Sequence, residues 1–213
     1  MHTETFIELD DGTSLGAFIG GSGEARTGVP VAPPEGTRHN PRNQVVADIL
    51  QQRGFRTVLA DLLTEAEEGE ELSTRERHFD DAFLTARLTA ITNRLVDEHG
   101  LETVGYFGAN SGACIALEAA AAHPGAVGSV VVRGCGHLDH VGDALRSVAA
   151  PTLFVAGEKD GAVVEESRRA VDVVAGEADL EVVPGASHRF EEGGALDTVG
   201  AVAADWFGRH LAG

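Results

Sequence analysis

LETVGYFGANSGACIALEAAAAHP, residues 101–124, is the stretch around which the chain is organised. Its apolar run over residues 103–107 is short enough for a buried strand. The run over residues 112–123 is rich in Ala and Leu and predicts a helix. Glycines flank the Ala-Asn-Ser segment between them, and glycine permits strained dihedrals and a close approach of strand to helix. We therefore expect a sharp strand-to-helix turn with Asn110 at its tip.

Asn110 occupies the position that such a turn presents at the top of a sheet, beside the N-terminus of a helix. A strand, a sharp Gly-flanked turn and a helix together form the nucleophile elbow of α/β-hydrolases. The residue at the tip of that elbow should be Ser, Cys or Asp, because an asparagine amide cannot be deprotonated usefully and cannot form an acyl-enzyme. The local frame therefore indicates a hydrolase, whereas Asn110 does not supply its nucleophile.

Composition limits the partners of the chain. Its 213 residues contain 34 acidic against 16 basic side chains, a formal net charge of −18, and only one of the basic residues is lysine, Lys159. An acidic surface repels nucleic-acid phosphates and anionic membranes, so we expect neither as a partner. The acid-rich, lysine-poor composition favours a halophilic protein in a high-salt cytosol, with an ordinary acidic bacterial protein as the alternative.

The ends and the apolar windows of the sequence favour a cytoplasmic protein. The N-terminal residues have no basic start and no long apolar run, so they do not resemble a signal peptide. No window approaches the roughly 18 apolar residues of a membrane span. Two cysteines do not make a disulfide framework.

Strand-like and helix-like segments alternate along the chain. We predict an α/β fold of the hydrolase type: a mainly parallel central sheet with helices on both faces, an N-terminal β-hairpin and no lid domain. Residues 1–213 are expected to form one domain, and the acidic segment 64–81 is predicted to be a solvated loop. The predicted strands cover residues 5–9, 14–19, 28–32, 55–62, 103–107, 127–132, 151–156 and 180–183. The predicted helices cover residues 43–53, 82–99, 112–123, 163–174 and 195–211.

Two titratable residues follow later strands in the order that a catalytic triad requires. Asp160 follows the strand 151–156 and His188 follows the strand 180–183. In α/β-hydrolases the chain order is nucleophile, acid, base. Because parallel strands end at one edge of a sheet, we expect Asn110, Asp160 and His188 to converge there. The alternative is that Asp160 and His188 are surface residues without a catalytic role. The triad order of the three positions makes this alternative less favoured.

At this point the chain resembles a known family. It is similar to small α/β-hydrolases of the dienelactone-hydrolase-like group, especially lidless hydrolases that occur alone or fused to phosphoribosyltransferase domains. The resemblance covers nearly the whole chain and is carried by RHNPRN (38–43), VLADLL (58–63), GYFGANSGA (105–113), VVVRGCG (130–136), PTLFVAGEKD (151–160), VPGASHRFEEGGAL (183–196) and ADWFGRHL (204–211).

The resemblance implies hydrolysis of a small-molecule carboxylic ester or lactone, without a cofactor. It implies Asp160 as the acid and His188 as the base, and it matches Asn110 to the Ser or Cys of other members. It also implies that the backbone N–H of Ser111 helps to bind the oxyanion, although a nucleophilic Ser111 is a less favoured alternative. A homodimer is left open.

A second departure from the family lies after the strand 28–32. Members usually carry a His-Gly type segment there, and one of its backbone N–H groups binds the oxyanion. This chain has Pro33 and Pro34 followed by Glu35. Proline has no N–H to donate, and a glutamate would place negative charge near a developing oxyanion. Together with Asn110, this predicts a weak or inactive hydrolase.

Several other polar residues have both a functional and a structural interpretation. Three residues follow the strand 28–32 on a loop: Arg38, His39 and Arg42. They either receive a substrate carboxylate or neutralise the acidic surface. Cys135 either lines the cleft or, like Cys114, is a small packed core residue. Residues 135–140, CGHLDH, contain potential metal ligands but match no standard spacing, so we expect no metal.

Three functional interpretations remain. The first is a dienelactone-hydrolase-like enzyme that has diverged at its nucleophile and has low or altered activity. The second is a non-catalytic small-molecule binding or regulatory protein that retains the hydrolase pocket. The third is an active serine hydrolase in which Asn110 is an isolated, incidental or engineered change. The altered Pro33-Pro34 segment argues against the third, since one changed residue does not explain two altered sites.

Overall fold

The computed structural model describes residues 2–22, 27–32, 37–74, 80–99 and 101–211. Within these ranges the strands are β1 (His2–Glu8), β2 (Ser14–Gly20), β3 (Thr27–Ala32), β4 (Arg56–Ala60), β5 (Thr103–Ala109), β6 (Val127–Arg133), β7 (Thr152–Gly157) and β8 (Ala178–Val183). The α-helices are α1 (Pro41–Gln52), α2 (Glu65–Thr74), α3 (Asp81–His99), α4 (Ser111–Ala122), α5 (Leu138–Val141), α6 (Gly161–Val171) and α7 (Ala195–His210). A 3-10 helix covers Gly142–Ser147.

The eight described strands form one sheet in the order β1-β2-β4-β3-β5-β6-β7-β8. β1 and β2 form an antiparallel hairpin, and β2 also pairs antiparallel with β4. All the remaining pairs are parallel. The predicted mainly parallel sheet with an N-terminal hairpin is therefore confirmed. Because β5, β6, β7 and β8 are parallel neighbours, their carboxyl ends share one edge of the sheet.

Helices cover both faces of the sheet, as predicted. Apolar side chains of α3 and α4 pack on one face, with Leu88 and Ile115 among the buried residues. Those of α1 and α7 pack on the other face, where Leu50 and Phe207 are buried. Strand β5 is buried over six of its seven residues, as expected for a parallel strand that is covered on both sides. The described helices are too short or too polar to cross a bilayer.

Helix α1 begins at Pro41, two residues before the predicted start. The side chain of Asn40 accepts hydrogen bonds from the backbone N–H groups of Arg42 (3.0 Å) and Asn43 (3.4 Å). Proline is well suited to the first position of a helix because its missing N–H would have no partner there. The Asn-Pro pair is therefore a cap that fixes where α1 leaves the loop after β3.

The prediction that residues 64–81 form a solvated loop is wrong over Glu65–Thr74, which is helix α2. Residues 75–79 lie outside the described residues. The backbone N–H of Glu67 donates to the Thr64 hydroxyl (3.2 Å), and the Thr64 N–H donates to the Glu67 carboxylate (2.8 Å). This reciprocal pair is a capping box, and it satisfies two backbone donors at the start of the helix. The Glu67 carboxylate also pairs with Arg87 of α3 at 3.0 Å. The T-x-x-E spacing was the sequence signal for this helix.

Candidate active site

The turn between β5 and α4 has the tight geometry that its glycines predict. A Cβ added to Gly108 would lie 2.6 Å from the Gly112 carbonyl oxygen and 2.7 Å from Cα of Ala113. Only glycine allows the strand and the helix to approach this closely. Asn110 follows with φ 51° and ψ −120°, a backbone conformation that L-residues other than Gly rarely adopt. Its N–H donates to the Arg133 carbonyl at 3.0 Å, which ties the tip of the turn to the end of β6.

Asp160 and His188 are joined directly. Nδ1 of His188 lies 2.6 Å from Oδ2 of Asp160. Asp160 is also the N-cap of α6, and its Oδ1 accepts from the Val163 N–H at 3.5 Å. The aspartate is therefore held by the helix at one oxygen and by the imidazole at the other. The His188 side chain is 47% exposed, whereas that of Asp160 is 19% exposed, so the histidine is open to solvent and the aspartate lies behind it.

Asn110 and His188 face the same small space beside Gly134. Oδ1 of Asn110 lies 3.2 Å, and Cε1 of His188 lies 3.8 Å, from the point that a Cβ on Gly134 would occupy. The structure thus brings Asn110, Asp160 and His188 together at the carboxyl ends of β5, β7 and β8. An imidazole whose Nδ1 is bound by a carboxylate has its Nε2 free to exchange a proton with a bound molecule.

Hydrogen bonds and a close backbone approach join the loop of Asp160 to the loop of His188. The Lys159 N–H donates to the Ala186 carbonyl at 2.9 Å, and the Gly185 N–H donates to the Glu158 carboxylate at 2.7 Å. A Cβ on Gly157 would lie 2.6 Å from the carbonyl oxygens of both Ala186 and Ser187. Gly157 is therefore needed for the two loops to lie this close, and their proximity sets the distance between Asp160 and His188.

Glu192 is a positioning residue that sequence reasoning missed. Its Oε2 accepts from the N–H and the hydroxyl of Ser187 at 3.0 and 3.1 Å, and its Oε1 lies 3.3 Å from Nζ of Lys159. The hydrogen bond from the Ser187 N–H lowers the pKa of Glu192 to about 2, so this carboxylate is charged at neutral pH. Ser187 and Lys159 directly precede His188 and Asp160. Ser187 lies five residues before Glu192 and Lys159 lies 33 residues before it, so the contact with Lys159 depends on the fold.

The remaining predicted cleft residues have different placements. Ser111 is the first residue of α4 and follows Asn110 directly. Pro33 and Pro34, with Glu35, lie outside the described residues. Arg38 forms ion pairs with Asp61 and with Glu4 (2.9 Å). Its contacts thus match the interpretation in which it neutralises carboxylates.

Cys135 is buried beneath the elbow, where its Sγ lies 3.6 Å from Sγ of Cys114. Both thiols are free and almost fully buried. The contact with Cys135, together with burial, raises the pKa of Cys114, so this thiol stays protonated. Both cysteines thus match the packed-residue interpretation.

The histidine rings of the segment 135–140 stack on each other, with the ring centroids of His137 and His140 5.5 Å apart. In the described residues no three His, Cys, Asp or Glu side chains are grouped to hold a metal ion.

Comparison with known proteins relates this geometry to characterised folds. A dienelactone hydrolase from Anabaena variabilis is 36% identical, and its structure superposes with a TM-score of 0.93 over 100% of this chain and 99% of that one. An α/β serine hydrolase without a lid, from Xanthomonas campestris, has a TM-score of 0.77 at 17% identity, covering 100% of this chain and 96% of its own. The second likeness concerns the fold alone.

Two Mycobacterium tuberculosis proteins, provisionally named phosphoribosyl transferases, are each 46% identical to the chain over 179 residues. The match covers 83% of this chain but only 39% of theirs. No family model matches the sequence.

Proposed function

The chain belongs to the dienelactone hydrolase family of α/β-hydrolases, and we propose that it is a carboxylic ester or lactone hydrolase that has diverged at its nucleophile position, Asn110. The observation that carries this proposal is the placement of Asn110. It has the strained backbone of an elbow residue and shares one small space with His188, which is hydrogen-bonded to Asp160. These contacts support a hydrolase frame around Asn110, which cannot supply the nucleophile that the chemistry needs.

The roles of the two titratable residues follow from their contacts. Asp160 holds Nδ1 of His188, which fixes the ring orientation and favours the tautomer with its proton on Nδ1. Nε2 then acts as the general base. Without a hydroxyl or thiol at position 110, the proton that Nε2 accepts must come from a water molecule that attacks the ester carbonyl directly. This route needs no cofactor and forms no acyl-enzyme.

Low activity is the expected consequence. General base catalysis by a positioned histidine contributes about 10²–10⁴-fold, whereas loss of a triad nucleophile costs about 10⁶-fold in a related mechanism. Pro33 and Pro34 remove backbone donors from the loop that usually helps to bind the oxyanion, a loss worth about 10²–10³-fold for one donor. We therefore propose slow hydrolysis by activated water as the altered activity.

We further propose that the chain is of the phosphoribosyltransferase-associated type. The support is the 46% identity to the two Mycobacterium tuberculosis proteins whose names contain that activity. The matched region is 39% of their length, which is the proportion expected if a hydrolase unit is one part of a longer protein.

A second candidate function is non-catalytic binding of a small molecule. The observation that favours it is the identity of residue 110. An asparagine amide cannot be deprotonated usefully and cannot form an acyl-enzyme, so Asn110 keeps the strained turn without supplying a nucleophile. In this alternative the Asp160–His188 pair serves only to order the loop.

Turnover of p-nitrophenyl esters separates the two candidates. The wild-type protein should be slow, and Asn110→Ser should gain hydrolysis because its hydroxyl would lie beside His188. Asn110→Ser combined with His188→Gln is the matched control and should lose that gain. If Asn110→Ser folds, retains the contact between Asp160 and His188, and remains inert, the pocket has lost more than its nucleophile and the binding function becomes the better interpretation.

A further inference from the structure

The backbone conformation of Asn110 aligns its Cβ with the backbone nitrogen of the next residue, Ser111. Asn110 has φ 51° and ψ −120°. Around the Cα–C bond, the Cβ of an L-residue is rotated by about one third of a turn from the residue's own nitrogen. A ψ of −120° therefore places Cβ in the plane of the following peptide, on the same side as the Ser111 nitrogen. These atoms are coplanar in the same way in a succinimide, the ring that forms when this nitrogen attacks Cγ.

Ordinary backbone conformations do not have this arrangement. In an α-helix ψ is about −42° and in a strand it is about +135°, so in both Cβ lies well out of the plane of the next peptide. The three other asparagines of the chain provide internal comparisons. Asn43 and Asn93 lie within helices α1 and α3. Asn40 is followed by Pro41, which has no N–H. Asn110 is therefore the asparagine whose side chain is best placed to react with its own backbone.

The surroundings of Asn110 suit an attack by the Ser111 nitrogen on Cγ. Oδ1 of Asn110 and Cε1 of His188 lie 3.2 and 3.8 Å from the point that a Cβ on Gly134 would occupy. His188, whose Nδ1 lies 2.6 Å from Asp160, is a base that can accept the proton of the attacking N–H. Negative charge develops on Oδ1 during the attack, and the N-terminus of α4, which begins at Ser111, stabilises such charge.

The Asn110 side chain is also accessible. Its amide makes no hydrogen bond to the first turn of α4, although asparagines that precede helices commonly do. Asn110 is half-buried and Ser111 is exposed, so water can reach a ring that forms between them. A carboxylate at this position would be favoured over a neutral amide, because negative charge is stabilised at the N-terminus of a helix.

We propose that Asn110 and Ser111 form a site of intramolecular deamidation in the folded protein. The Ser111 nitrogen bonds to Cγ of Asn110, and its proton passes to Nε2 of His188. The bond from Cγ to Nδ2 then breaks, and Nδ2 leaves as ammonia with that proton. Water opens the ring at Cγ: the bond from Cγ to the Ser111 nitrogen breaks, this nitrogen regains a proton, and position 110 becomes an aspartate. Overall, an amide and water give a carboxylate and ammonium.

Hydrogen bonds on either side of residue 110 favour aspartate over isoaspartate. The Asn110 N–H donates to the Arg133 carbonyl, and the Asn110 carbonyl accepts from the Ala113 N–H, both at 3.0 Å. Opening the ring at the main-chain carbonyl would give isoaspartate, which adds an atom to the backbone between these two hydrogen-bonded groups. Aspartate leaves the backbone unchanged, and its carboxylate is a nucleophile that the encoded asparagine lacks. The proposal shares His188 with the proposed function but does not depend on ester hydrolysis, because its product is the altered chain.

Mass-spectrometric peptide mapping of protein kept in heavy-oxygen water at neutral pH tests this inference. In folded wild type, position 110 should exchange its amide nitrogen for one heavy oxygen, whereas Asn43 and Asn93 should remain unchanged. The rate at position 110 should be about 10-fold or more higher than in protein unfolded in urea, because the fold holds the ring-forming geometry. Asn110→Asp is the chromatographic reference that separates aspartate from isoaspartate. Asn110→Gln should stay intact, because its longer side chain would have to close a larger ring.

Two histidine variants, each checked for folding by circular dichroism, test the base. His188→Gln should slow deamidation by about 10²-fold, at the lower end of the contribution of a general base. His123→Gln is the matched control, because His123 lies at the opposite end of α4, about 18 Å away by the length of the helix, and it should leave the rate unchanged. A rate in folded wild type no higher than in unfolded protein would overturn the proposal, and so would equal rates in wild type and His188→Gln. Isoaspartate as the main product would overturn the assignment of aspartate. An absence of ester hydrolysis with deamidation as expected would count only against the hydrolase function.

Discussion

Replacing Gly157 with alanine should force apart the two loops that hold Asp160 and His188. The new Cβ would lie 2.6 Å from the carbonyl oxygens of Ala186 and Ser187. Separations under 3.0 Å essentially never occur for a Cβ, so something must move. Both obstacles are backbone atoms, and no side-chain rotation can relieve the overlap. The loop that carries His188 must therefore shift away from β7.

The magnitude of the effect follows from this overlap. Forcing an extra methyl group into a packed region costs about 1–3 kcal/mol. For a chain of this size, that cost corresponds to a fall in melting temperature of about 2–12 °C. The Lys159 N–H bond to Ala186, now 2.9 Å, and the 2.6 Å contact between His188 and Asp160 should both lengthen.

Circular dichroism melting and NMR signals of the His188 ring measure the two effects. Gly161→Ala is the matched control, because a Cβ at this first residue of α6 would meet nothing within 4 Å. It should leave the His188 signals unchanged and stabilise the protein by up to about 1 kcal/mol through helix propensity. If Gly157→Ala melts at the wild-type temperature with unaltered His188 signals, the proposed dependence of the Asp160–His188 contact on this glycine is refuted.

Two further predictions concern pH and salt. Burial raises the pKa of Tyr106, the single tyrosine, to about 12. The phenol of Tyr106 should lose its proton near pH 10 in the unfolded chain and only near pH 12 in the folded chain. The free energy of unfolding is therefore unaffected by this group below pH 10 and falls by about 3 kcal/mol as the pH rises from 10 to 12. Ultraviolet titration of the phenolate should show ionisation well above pH 10, together with unfolding, and a midpoint near 10 in folded protein would contradict this. The melting temperature should rise from dilute buffer to molar KCl, because counterions screen the repulsion within a chain of net charge −18; a flat or falling trend would remove the argument for a high-salt habitat.

The elements that sequence reasoning found are those with a local signal. The apolar run of β5, the glycines around Asn110 and the amphipathic pattern of α7 each lie within a few consecutive residues. The order of Asn110, Asp160 and His188 was informative because parallel strands end at a common edge, so placement after a strand predicts position in space.

The features that it missed depend on partners far away in the sequence or on a motif that was overlooked. Helix α2 has no strong apolar periodicity, and its capping box at Thr64 and Glu67 was the available signal. The role of Glu192 depends on Ser187, five residues before it, and on Lys159, 33 residues before it, and the second contact exists only in the fold.

Covalent labelling with a fluorophosphonate tests the central claim most directly, because the labelled residue can then be mapped. The claim is that a working hydrolase frame surrounds Asn110, which cannot attack an ester carbonyl. Wild-type protein should acquire no label, because Asn110 offers no nucleophile and Ser111 belongs to the first turn of α4. Asn110→Ser should acquire one label at position 110, because its hydroxyl would be activated by His188 with Asp160 behind it. A label on Ser111 of the wild type would contradict the assignment of the elbow, and a folded Asn110→Ser variant without label would contradict the intact frame.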